Sequence, residues 1–215
     1  MTGSVFLSAS IPDPRRSPKY AQTADTVAIT SAVSALVHVI LGRRHLVWGG
    51  HPAITPMIWA VAEDLGVSYG DWVTLYQSNF FAEEFPEENK RFQNVLFVDS
   101  VENSREESLR RMREEMLAHD KFQTGIFIGG MEGIVDEFHL FQSLQPQANA
   151  IPIFSTGGAV LDLANGSEHA ADRDLWEEMD YVKLFHKLLE IPVSENREPP
   201  SKSIVSPGPK TRSQD

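Results

Sequence analysis

The 215-residue sequence contains no cysteine, which removes disulfides, thiolate nucleophiles and Cys-ligated zinc together. Basic residues are scarce too: Lys and Arg number 19 against 30 Asp and Glu, a formal net charge of −11. Affinity for a nucleic-acid backbone needs clustered Lys and Arg to neutralise phosphates, so DNA and RNA are not expected partners. No apolar run reaches membrane-spanning length. The longest candidate, residues 27–41, is interrupted by Thr30, Ser31, Ser34 and His38. The N-terminus, MTGSVFLSAS, lacks the basic flank and long apolar core of a secretory signal. A soluble cytoplasmic protein with no membrane partner is the expectation. The seven histidines show no H-x-x-x-H or H-E-x-x-H spacing, so no metal site is expected, and no cofactor either.

What is present fits a globular core: 41% hydrophobic and 23% charged residues. The length suits one large domain, placed at residues 1–191. Residues 192–215 hold five of the 13 prolines among Ser, Lys, Arg and Glu. Such a segment buries too little apolar surface to offset its ordering entropy and reads as a disordered tail.

Short apolar runs alternate with helical patterns through the body. Strands are expected at 4–8, 45–48, 72–76, 94–98, 125–128 and 151–154. Helices are expected at 26–41, capped by Asp25 and ended by Gly42, and at 54–65, closed by Gly66. Further helical patterns cover 104–118, 133–144, 159–165 and 173–189, while 80–91 reads as an acidic, aromatic surface excursion. Strands alternating with helices of this length imply right-handed crossovers and a mainly parallel sheet covered on both faces. The fold class is α/β, a Rossmann-like three-layer sandwich.

In such a sheet, ligands bind beyond the carboxyl ends of the strands. Four strand ends carry glycine pairs or small hydroxyl residues: Ser8 and Ser10, Gly49-Gly50, Gly129-Gly130 with Gly133, and Thr156-Gly157-Gly158-Ala159. Paired glycines let backbone approach a ligand, and the amides of a following helix turn offer an anion site. The order is not that of a dinucleotide fingerprint, and no G-x-x-x-x-G-K-[ST] loop occurs. NAD-dependent dehydrogenases and P-loop NTPases are therefore disfavoured. Ser/His/Asp catalysis lacks its G-x-S-x-G elbow.

The segment 129–137, GGMEGIVDE, places Met131 and Glu132 in the turn and Glu137 on the flank of the inward stripe Ile134, Phe138 and Phe141. Acids in a first helical turn also complement the helix dipole without any function, which is the preferred account of Asp136. In the helix 104–118, Leu109, Met112 and Met116 form the apolar face. Arg105 and Arg113 fall on that face; Arg110 and Arg111 point away. Arg113 can snorkel to the edge, or pair with Glu137 or a ligand phosphate. Arg15, with Arg16 beside it, lies where a loop could close over a phosphate, and His51 follows the second glycine pair.

Taken together, Gly49-Gly50-His51-Pro52, the run from Ser108 through Arg113 to Met116, Ile128 to Gly133 with Glu137, and Ser155 to Ala159 resemble the SLOG superfamily. That superfamily includes Lonely Guy phosphoribohydrolases, DprA-type proteins and ligand-sensing domains. Its phosphoribohydrolase branch carries P-G-G-x-G-T-x-x-E and an upstream Arg, implicated in cleaving the N-glycosidic bond of nucleoside 5′-monophosphates. Here Ile128 replaces the Pro, Glu132 a Gly and Gly133 the Thr, and Glu137 is shifted by one residue. The sensor-type domains of bacterial anti-phage and stress systems, some binding ADP-ribose species, are the closer likeness. The resemblance implies a nucleotide or NAD-derived ligand and a homodimer. Its ligand contacts would come from Ser8, Ser10, Arg15, Gly49, Gly50, His51, Arg113, 129–133 and 156–159. If the protein is instead a hydrolase, the resemblance implies that Glu137, Glu132 and Arg113 carry the chemistry.

Overall fold

Every strand pairing in the sheet is parallel, so each link between neighbours must cross over a face of the sheet. The computed structural model describes residues 3–66, 72–85, 89, 92 and 94–198. Six strands, β1 (Ser4–Ser10), β2 (Leu46–Trp48), β3 (Val73–Ser78), β4 (Asn94–Val98), β5 (Phe122–Gly129) and β6 (Asn149–Ile153), lie in the order β4-β3-β2-β1-β5-β6. The helices are α1 (Pro18–Ala21), α2 (Thr26–Ile40), α3 (Thr55–Leu65), α4 (Arg105–His119), α5 (Glu132–Leu144), α6 (Asp174–Glu177) and α7 (Tyr181–Leu188). The chain leaves β1 toward β2, β3 and β4, then returns to β5 on the other side. Right-handed crossovers running in opposite directions put their helices on opposite faces. Helix α2 accordingly packs with α3 and α7, and α4 with α5. The reversal between β1 and β5 is the switch point at which such sheets bind ligands. The expected Rossmann-like α/β sandwich is what the chain forms.

Helix α2 starts where Asp25 accepts hydrogen bonds from the Val27 and Ala28 amides, and it is buried over most of its length, as its uniform apolarity predicts. Helix α3 ends at Gly66 in the left-handed conformation. Phe6 of β1, Phe127 of β5 and Phe138 and Phe141 of α5 pack together, with Phe6 stacked on Phe141 at 5.5 Å. That cluster clamps α5 to β1 and β5 and so fixes its first turn at the switch point.

Several boundaries differ from expectation. β1 continues to Ser10, β3 to Ser78, and β5 begins at Phe122. The expected helix at 173–189 is two helices. Asp180 caps α7 through the Lys183 amide while the Glu178 carboxylate accepts from the Asp180 amide, which turns the chain between them. The helical pattern at 159–165 forms a 3-10 segment, Gly158–Asn165. Within the expected loop at 12–20, Pro18 opens the short helix α1. The expected tail is tied down at its start. Glu195 pairs with Arg44 at 2.6 Å, Arg197 donates to the Leu41 carbonyl and the Glu198 amide to that of Gly42. The tail from 199 onward, and parts of the excursion at 80–91, lie outside the described residues. Among the described residues, no helix is long and apolar enough to cross a membrane.

Candidate functional site

The carboxyl ends of β1, β2 and β3, with the start of α5, border one cavity of about 710 Å³, within the usual range for small-molecule sites. Ser8 and Ser10 enter it from β1, and Gly49, Gly50 and His51 from the turn after β2. Met131, Glu132 and Gly133 enter from the start of α5, with Glu137 one turn further on and Arg113 facing it from α4. Sequence reasoning did not assign Trp48, Gln77 or Phe81 to the site and read Met112 only as part of an apolar helix face; all four line the cavity. Gln77 could not have been found from pattern alone. It sits beneath the Gly49-Gly50 turn, donating to the Gly49 and Tyr76 carbonyls.

The 3.6-residue period of α4 buries Met112 and Met116 and sends Arg110 and Arg111 outward into exposed pairs with Glu114 and Glu115. Arg113 is turned toward α5, where its Nε donates to Glu137 Oε1 at 2.9 Å and its Nη1 lies 3.5 Å from Asp136 Oδ2. Ser8 Oγ, on a nearly buried side chain, donates to the other Glu137 oxygen at 2.6 Å. Both oxygens of Glu137 therefore have partners. Glu132 accepts from Ser17 Oγ at 2.9 Å, tying the loop after β1 to the start of α5. Asp136, read from sequence as a helix-dipole acid only, is also the outer partner of Arg113.

The remaining predicted contacts go elsewhere. Arg15 does not line the cavity, and its neighbour Arg16 does. Gly129, Gly130, Thr156, Gly157, Gly158 and Ala159 also lie outside the lining, because the turns after β5 and β6 pack on each other. The Gly129 amide donates to Thr156 Oγ1, the Gly130 amide to the Ser10 carbonyl, and the Ala159 amide to the Gly130 carbonyl. A Cβ on Gly158 would stand 3.0 Å from Gly129 C and Gly130 O, so this glycine serves turn packing. The amides of Met131, Glu132 and Gly133, by contrast, find no acceptor among the described residues. They are the unsatisfied donors of the α5 N-terminus, and they lie at the cavity.

Three arginines (16, 105 and 113) and six carboxylates line the cavity. The wall is thus not broadly positive, and an anion would be recognised by placed donors rather than by overall potential. Burial, with a smaller push from Arg16, lowers the His51 pKa and favours the neutral ring. Its Nδ1 accepts from the Ala53 amide at 3.2 Å, which leaves the proton on Nε2. Arg105 lies over the Phe81 ring at 5.7 Å, closing the side of the cavity nearest the excursion. Among the described residues, no group of three or more His, Asp or Glu converges as a metal site would require.

A family model described as LD_cluster3, the SLOG cluster3 family, matches residues 19–189 of the chain. No curated protein and no solved structure matches it. The matched stretch begins after β1, so Ser8, Ser10 and Arg16 add to the cavity from outside it.

Proposed function

The chain belongs to the SLOG cluster 3 family, and from that premise we propose that it binds a nucleotide or NAD-derived, ADP-ribose-like ligand as a sensor-type domain. Family membership supports a nucleotide-related function. The observation that carries the finer reading is that residues 131–133, whose amides have no acceptor among the described residues, line one cavity with Arg113 at the switch point of the sheet. Those donors suit a phosphate. Ser10, Arg16 and the Nε2–H of His51 offer further donors across the cavity, and Trp48, Phe81 and Met112 give it an apolar side for a base or ribose. The net negative charge does not oppose this, since it is screened over about 8–10 Å at physiological salt.

A thermal-shift screen with AMP, other nucleoside monophosphates, NAD and ADP-ribose tests the reading. A ligand at 100 times its Kd adds about 2.7 kcal/mol of stability, and a screen in which no nucleotide raises the midpoint rejects it.

A second reading, hydrolysis of an N-glycosidic bond, is favoured by one observation: Arg113 and Glu137 both face the cavity, as an acid and a phosphate-holding arginine would. Binding remains the preferred reading, because both Glu137 oxygens are engaged and the motif departs at Ile128, Glu132 and Gly133. Chromatography of AMP and NAD after incubation separates the two, since hydrolysis releases free base and Glu137→Gln abolishes the release. A defence or stress role and a homodimer extend the sensor reading on the family resemblance alone; sedimentation velocity tests the dimer.

A further inference from the structure

We infer that Gly133 is a positioning residue, whose missing Cβ seats the Arg113 guanidinium against the first turn of α5. The geometry stands on its own, while its consequence for ligand affinity rests on the nucleotide-binding reading. A Cβ on Gly133 would stand 2.6 Å from Arg113 Nη2, and the next nearest atom, Arg113 Cζ, would be 3.8 Å away. The only obstacle is the far end of one flexible side chain.

Other reasons for a glycine here fail. Gly133 is not among the positive-φ residues, and inside a helix alanine is the better residue. Nothing in the backbone or the core requires the absence of a side chain at this position.

The contact matters because of which nitrogen makes it. Arg113 Nε is bonded to Glu137 and Nη1 faces Asp136, while Nη2 has no hydrogen-bond partner among the described residues. Nη2 therefore stands against Gly133, in the helix turn whose amides at 131–133 are unsatisfied, with its own donors unspent. A cation at the positive end of a helix is repelled, and the Glu137 and Asp136 carboxylates hold it there. An anion at the cavity wall meets Nη2 and these amides together. A Cβ would push Nη2 out from 2.6 Å to ordinary van der Waals distance, which disturbs that alignment without touching the core.

The test uses the full chain with Gly133→Ala and Arg113→Lys, singly and combined. In wild type, Arg113 Nε–H is expected to give a protected arginine side-chain resonance because it is bonded to Glu137. Gly133→Ala is expected to shift or broaden that resonance while the thermal midpoint stays at or above the wild-type value. Its affinity for AMP or ADP-ribose is expected to fall about tenfold, the loss of one charge-assisted contact. In the Arg113→Lys background, which has no Nη2, adding Gly133→Ala should cause no further loss. An Arg113 Nε–H resonance unchanged by Gly133→Ala overturns the inference, as does an equal loss of affinity in the lysine background. Wild type that binds no nucleotide would instead sink the functional reading, and the side-chain resonance would still decide the role of Gly133.

Discussion

Arg113 of α4 and Glu137 of α5 meet at 2.9 Å, and the second oxygen of the same carboxylate accepts from Ser8 of β1 at 2.6 Å. One carboxylate thereby joins two helices to β1, the strand beside which the strand order reverses. The two charged side chains are only 14% and 17% exposed, so removing either leaves its partner poorly solvated.

Arg113→Met and Glu137→Met should each lower stability by about 1–3 kcal/mol, less than a fully buried pair would because some solvent reaches both. The double variant should lose less than the sum of the two, since neither charge is then orphaned. Urea denaturation measures this. Additive losses would mean that the pair is not energetically coupled.

Thr156 is fully buried, with Oγ1 accepting from the Gly129 amide and donating to the Ile153 carbonyl. Thr156→Val keeps the shape and removes both bonds, leaving the Gly129 amide without its partner. A stability loss of about 1–3 kcal/mol is expected, with nucleotide affinity of the folded protein unchanged because the residue lies off the cavity. Loss of affinity at full stability would make Thr156 a ligand contact after all.

His38 and His51 both have pKa values lowered mainly by burial, with Arg197 and Arg43 adding to the effect at His38 and Arg16 at His51. The folded protein then binds fewer protons than the unfolded chain as pH falls through the ordinary histidine range. Their contribution to stability is present above the ordinary histidine pKa of 6.5 and is lost as pH falls below it toward the folded values. The slope is at most about 1.4 kcal/mol per pH unit for each group. Thermal midpoints from pH 8 to pH 5 should decline below neutrality, and His51→Asn should flatten the decline; an identical profile in the variant would contradict the assignment.

Much of the fold was legible because its signals are local. Asp25 before an apolar stretch, Gly66 after one and buried strands such as GIFI each report their own element. The Arg113–Glu137 meeting was legible too, since helical period puts both residues on faces that the crossovers bring together. The role of Thr156–Ala159 was not. A glycine turn reads the same whether its backbone faces a ligand or a neighbouring turn, and only the pairing of Gly129 with Thr156 tells which. Arg16 and Arg15 were equivalent in sequence, and the backbone of a loop chose between them. The break before α7 depends on Asp180 acting as a cap, and an Asp inside an amphipathic run gives no sign of that on its own.

Calorimetric titration of the full chain with ADP-ribose and AMP tests the central claim most directly. The account predicts saturable one-site binding by wild type, weakened at least about tenfold by Arg113→Lys as a charge-assisted contact is lost. No heat of binding from any nucleotide, or equal affinity in the lysine variant, would contradict it.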